Sequence, residues 1–220
     1  MNFKRITLLA GHYGSGKTNI TINLAMLLRA EKERVAVADL DIVNPYFRTK
    51  DSQHDLEQAG IRFICSEYAN SNLDIPALPQ TLYAVTDDKA LYSILDIGGD
   101  DRGALALGRL APAIREENDY EMLFVVNFYR PLTTTPEDAL EVLREIEQAG
   151  GLPFTGIVHN SNLGDETTAE TVLSAVPRAE ALSAMTGLPI VTTSVNRTLE
   201  PELREKISPL LCLDLQAKIR

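Results

Sequence analysis

Short apolar runs alternate along this chain with longer stretches in which apolar residues recur every three or four positions. The runs cover residues 5–10, 35–38, 61–65, 92–95, 122–126, 156–158 and 189–191. Runs of this length with little polar alternation predict strands buried on both faces, and the stretches between them predict amphipathic helices. Strand and helix in turn predict a mostly parallel sheet flanked by helices, a three-layer α/β/α arrangement within one domain over residues 1–220. Residues 17–31 carry Ile20, Leu24, Leu27 and Leu28 at helical spacing. The clearest helix begins at Pro136: Thr135 is its cap, Pro136 its first position, Asp138 completes a capping-box spacing, Leu140, Leu143 and Ile146 form the stripe, and Gly150 and Gly151 end it. Residues 66–80 are the least regular, with Pro76 and Pro79 predicting an ordered surface loop. The leucine-rich end, residues 210–220, reads as a last helix packed on the sheet; Asp214 among the leucines leaves it little attraction for anionic lipid.

Composition narrows the class. Of 220 residues, 45% are hydrophobic and 24% charged, ordinary globular usage. No apolar run approaches the roughly 20 residues of a membrane span, and the first residues lead straight into a strand, so a cytoplasmic protein without membrane contact is expected. Cys65 and Cys212 stand apart, with neither a disulfide framework nor a zinc spacing, and read as core thiols. A formal net charge of −10 argues against nucleic acid as a partner, because phosphate counterions are released by a positive surface.

One stretch carries chemistry of its own. Gly11-His12-Tyr13-Gly14-Ser15-Gly16-Lys17-Thr18 satisfies G-x-x-x-x-G-K-[ST] between a strand and a helix, the phosphate-binding loop of nucleotide triphosphatases. Glycines allow successive backbone N–H groups to turn inward on a β-phosphate, Lys17 neutralises the β and γ oxygens, and the Thr18 hydroxyl reaches Mg²⁺. Asn19, next in the helix, belongs with the nucleotide-binding set. Ligands of open parallel sheets gather at the carboxyl ends of strands, so the residues just after each run matter most. After the second run come Asp39 and Asp41, and after the fourth Asp96, Gly99, Asp100 and Asp101. Asp96 reads as the carboxylate that holds a metal-bound water, with Gly99 as the glycine facing the γ-phosphate; a plain strand-end cap is the alternative for Asp96. Arg102 and Arg130 also follow strand ends, where a guanidinium either stabilises a transferring phosphoryl group or pairs with a nearby carboxylate.

The set Gly11 to Thr18, Asp39-x-Asp41 and Asp96-x-x-Gly99 resembles the MinD/ParA/CobB-type P-loop nucleotide-binding proteins over nearly the whole chain. The resemblance implies an ATP-binding, Mg²⁺-dependent, slow ATPase that works as a nucleotide-dependent switch, with a homodimer or another protein as partner. It assigns Asp41 to the attacking water and the metal, Asp96 to the metal through water, and Gly99 to the γ-phosphate. The family's signature lysine after the first glycine is absent: His12 stands there, with less charge and reach, and either donates to a phosphate, shapes the loop or faces a partner. Without that lysine the loop is also similar to those of metallochaperone GTPases and small-molecule P-loop kinases or ligases, and a non-catalytic nucleotide-binding regulator is a further alternative. Guanine-specific relatives read their base with Asn-Lys-x-Asp after the sixth strand; here Asn160-Ser161-Asn162-Leu163 lacks the carboxylate, which favours adenine with Asn160 and Asn162 as readers, while turn-making is the alternative role for both. Asn196 is a weaker reader, and Tyr46 and Phe47 form either a nucleotide-gated contact surface or core.

Overall fold

The computed structural model describes residues 3–40, 53–65, 80–98 and 101–215, and for residues 101, 102, 104 and 105 the backbone alone. The apolar runs form strands β1 (Ile6–Ala10), β2 (Val35–Asp39), β3 (Arg62–Cys65), β4 (Tyr92–Asp96), β5 (Tyr120–Val126), β6 (Gly156–His159), β7 (Ile190–Asn196) and β8 (Leu210–Leu213). They make one eight-stranded sheet in the order β3-β2-β4-β1-β5-β6-β7-β8, with every ladder parallel. All residues of β1 and β2 are buried, which explains why their sequences run apolar without alternation.

The α-helices of the described residues are α1 (Lys17–Glu31), α2 (Gln53–Gln58), α3 (Ala84–Asp87), α4 (Asp101–Glu117), α5 (Pro136–Gly150), α6 (Ala169–Thr186) and α7 (Glu200–Leu203). Ile20, Leu24 and Leu28 of α1 and Leu56 of α2 pack with Leu9, Val37 and Leu123 on one face of the sheet. Leu107 and Ile114 of α4, Leu143 and Ile146 of α5, and Leu182 of α6 pack with Leu8, Leu95 and Phe124 on the other. The α5 cap is the one the sequence predicts: Thr135 accepts from the Asp138 amide and the Asp138 carboxylate accepts from the Thr135 amide, at 3.1 and 3.2 Å. Arg5, 4% exposed, pins the lower edge of this layer. Its guanidinium pairs with Glu117 at the end of α4 and donates to the carbonyls of Val85 (2.9 Å) and Leu91 (2.8 Å).

The carboxyl-terminal reading needs correction. Leu210–Leu213 is a strand, paired in parallel with β7, and not part of a helix. Leu211 and Leu213 face the core while Leu210 and Cys212 are half-buried. Over so few residues a leucine spacing fits helix and strand alike; the open edge of β7, with its unpaired backbone groups, decides. Cys65 and Cys212 are both half-buried, less enclosed than core positions. The loop expected over 66–80 lies, apart from Gln80, outside the described residues.

Central β1 lies between β4 and β5, so its two neighbours continue to opposite sides of the sheet. Register sets Leu9 beside Asp96, and Asp96 beside Asp39. The carboxyl ends of β1, β2 and β4 thus open onto one crevice, with the glycine loop at its rim.

Candidate functional site

The loop from Gly11 to Gly16 keeps its shape through glycine. Gly14 and Gly16 have φ of 75° and 94°, the left-handed region that side chains disfavour. A Cβ at Gly16 would lie 2.2 Å from Asn160 Nδ2, and one at Gly11 would lie 2.3 Å from the Val125 carbonyl oxygen. The loop is therefore pressed against the ends of β5 and β6. Gly16 is also the N-cap of α1 and supplies no side-chain acceptor, so the first amides of that helix face the crevice as a partial positive charge.

Lys17, 6% exposed, folds back across the loop and donates from Nζ to the carbonyls of Gly11 (2.9 Å) and His12 (3.3 Å). Thr18 donates from Oγ1 to Asp96 Oδ2 at 2.7 Å, which joins the head of α1 to the end of β4 across 78 residues of sequence. Asp96 is 2% exposed. Two hard oxygens at this spacing suit Mg²⁺, which takes one or two protein oxygens and completes its shell with water and phosphate. The Ser15 hydroxyl and Asn19 Oδ1 are buried with no hydrogen-bond partner among the described residues, polar groups that a phosphate oxygen and its waters would satisfy. Asp39, 7% exposed, stands beside Asp96 in the ladder; the sequence marks it only as the first aspartate of Asp39-x-Asp41.

The remaining candidates fall into distinct places. Asn160 is buried, donates to the Ser15 carbonyl (2.6 Å) and accepts from the Ser194 hydroxyl (2.8 Å), so its amide supports the loop. Asn162 donates to the Asn160 carbonyl (2.9 Å) and accepts from the Gly164 amide (3.2 Å), the turn-making alternative. Asn196 caps the short helical turn at residues 197–199 by accepting from the Thr198 amide at 3.0 Å. His12 is half-buried with Nδ1 3.0 Å from the Tyr13 carbonyl oxygen, and Tyr13 is exposed. Asp41, Tyr46, Phe47, Gly99 and Asp100 lie outside the described residues, as does the Arg102 side chain.

Two participants carry no motif in the sequence. Ser194 on β7 orients Asn160, and Asn127, fully buried at the end of β5, accepts from the amides of Tyr129 (3.0 Å) and Asn162 (3.2 Å). Arg130, expected either at a phosphoryl group or in a pair with a carboxylate, donates from Nε to the Gly14 carbonyl at 2.9 Å. Polar residues after a strand were the available signal; their targets, set by chain-distant loops, were not. A cavity of about 210 Å³, lined by Phe3, Leu24, Glu121, Leu123 and Val191 among others, lies on the α1 face, and no residue of the glycine loop lines it. Among the described residues no helix is long and apolar enough to cross a membrane.

No curated protein matches the chain in sequence. Among solved structures, the cell division protein FtsY of Thermotoga maritima superposes with a TM-score of 0.59 at 18% identity, over 87% of this chain and 61% of that one. FtsY of Mycoplasma mycoides gives 0.60 at 15% identity, over 89% and 62%. The signal recognition particle 54 kDa protein of Aeropyrum pernix K1, solved in complex with GDP, gives 0.53 at 19% identity, over 84% and 40%. The chain thus spans about two fifths to three fifths of the length of these chains, and at such identities the likeness establishes the P-loop NTPase fold. Residues 6–185 match a family described as the CobQ/CobB/MinD/ParA nucleotide binding domain. That match covers well over half of the chain, and the chain belongs to the CobQ/CobB/MinD/ParA nucleotide-binding domain family.

Proposed function

We propose that the chain binds Mg·ATP at the Gly11–Thr18 loop and hydrolyses it slowly, as a switch read by a second copy or another protein. The observation that carries this reading is the 2.7 Å contact between Thr18 and Asp96, a pair of oxygens whose chemistry suits a cation. When bound, Mg²⁺ supplies charge neutralisation at the β and γ oxygens. Lys17 exchanges its loop carbonyls for phosphate oxygens, the loop amides and the head of α1 hold the β-phosphate, and Asp96 fixes Thr18. Asp41 and Gly99 take the water-positioning and γ-phosphate roles that the family resemblance gives them, Gly11 to Asn19 form the binding stretch, and water attacks the γ-phosphorus to release ADP and phosphate. Adenine is favoured because Leu163, half exposed, occupies the place where guanine would need a carboxylate acceptor.

The test is single-turnover hydrolysis with Mg²⁺ by wild type and Asp96→Asn, with ATP and GTP in competition. The expected result is a loss of about a hundredfold or more in the hydrolytic step and a much smaller loss in ATP affinity, because metal positioning counts most in the transition state. Equal rates in the two proteins would reduce Asp96 to a strand-end cap. Tenfold tighter binding of GTP, about 1.4 kcal/mol, would replace ATP with GTP. Turnover only after a small-molecule acceptor is added would replace hydrolysis with phosphoryl transfer.

A further inference from the structure

The carbonyl and the following N–H of a trans peptide point in opposite directions, so a group that grips one fixes the other. Two consecutive peptides of the glycine loop are gripped in this way from outside. Asn160, at the end of β6, holds the Ser15 carbonyl and turns the Gly16 N–H to the opposite side. Arg130, after β5, holds the Gly14 carbonyl, and the Ser15 N–H on the far side closes a turn on the His12 carbonyl at 3.1 Å. Gly14 is the weak point of this arrangement. With φ of 75° and no Cβ, its peptide has the freedom to flip, and within the loop it is the Ser15 N–H bond to the His12 carbonyl that opposes this, with Arg130 adding the grip from outside. The same missing Cβ lets the guanidinium lie flat on the loop, since a Cβ at Gly14 would stand 3.3 Å from Arg130 Nε.

Arg130 can act as a fixed post because its own backbone is tied. The Arg130 amide donates to the Asn127 carbonyl (3.2 Å), and the Arg130 carbonyl accepts from Thr133 (3.0 Å). Pro131 opens the helical turn that follows, and the Thr133 hydroxyl returns to the Asn127 carbonyl at 2.7 Å. Asn127 is itself fully buried and bonded to the β6 loop.

We propose that Arg130 is a positioning residue that locks the Gly14–Ser15 peptide and so preorganises the loop for the diphosphate portion of a nucleotide. The proposal rests on the reading of this loop as a nucleotide site. It assigns Arg130 a role on the loop's outer side, distinct from contact with the γ-phosphate or the base. Without the lock, binding must first select the correct peptide orientation, and every ligand that uses the β-phosphate cradle loses affinity by the same factor.

The experiment measures ATP, ADP and inorganic pyrophosphate binding to wild type, Arg130→Ala and Arg130→Lys, with melting temperatures as a check on folding. ATP and ADP are titrated directly, and pyrophosphate is scored by displacement of labelled ADP. A loss of about tenfold in Arg130→Ala, equal for all three ligands, with unchanged melting and partial recovery in Arg130→Lys, is expected for a lost charge-assisted hydrogen bond. Loss confined to ATP would make Arg130 a γ-phosphate contact and overturn the proposal. Loss with ATP and ADP but not with pyrophosphate would make it a base or ribose contact, with the same consequence. Unchanged affinity for all three would show that the loop holds itself. If wild type binds none of them, the nucleotide reading fails first, an outcome distinct from these.

Discussion

His159 shows how much a single buried side chain can set. It ends β6 with 1% of its surface exposed, packs beside the Phe128 ring and has Nδ1 3.4 Å from the Thr193 hydroxyl. Nε2 has no hydrogen-bond partner among the described residues. Burial, with a smaller push from the Arg178 guanidinium on α6, lowers its pKa from 6.5 to about 4. Above the ordinary value both folded and unfolded chains carry a neutral ring and stability does not change on this account. Between that value and about 4, the unfolded chain accepts a proton that the folded one refuses, so stability falls as pH falls, by up to about 3 kcal/mol. Urea unfolding of wild type and His159→Gln from neutral pH to about pH 4.5 checks this. The difference between their unfolding free energies should shrink as wild type loses stability on acidification; parallel curves would mean that the ring is protonated in the folded state.

At the scale of elements, α5 offers the cleanest test of local coding. Its capping box ties Thr135 and Asp138 at an exposed helix start, and neither side chain bonds to the glycine loop. Thr135→Ala should cost about 1 kcal/mol, seen as a fall of about 2–4 °C in melting temperature, and leave nucleotide affinity unchanged. No shift in calorimetry would show that packing of Leu143 and Ile146 alone holds the helix start. This cap was readable from sequence because all of its parts lie within four residues. The glycine loop, the span of α1 and the buried strands were legible for the same reason: each is a local pattern. β8 was not, because four residues near the chain end become a strand only when the edge of β7 accepts them. Asn160 follows the same rule. Its residue type marked it as polar and loop-forming, but its donor found the Ser15 carbonyl 145 positions away, a partner that no spacing encodes.

For the whole molecule, the parallel sheet explains why residues so far apart in sequence meet. With β1 between β4 and β5, the loop after β1 receives Asp96 from one neighbour, Arg130 from the other, and Asn160 from the strand beyond. Each of these side chains leaves the same carboxyl edge of the sheet, which is a consequence of every ladder being parallel. The Gly11 and His12 carbonyls that accept from Lys17 belong to the loop and not to the apolar core, so removing the lysine is expected to leave the core intact. Isothermal titration of Mg·ATP into wild type and Lys17→Ala is therefore the most direct test of nucleotide binding at this loop. The expected result is saturable binding by wild type and a loss of about a hundredfold or more in Lys17→Ala, some 2.7 kcal/mol, at unchanged melting temperature. Equal affinity in a folded Lys17→Ala protein would contradict it.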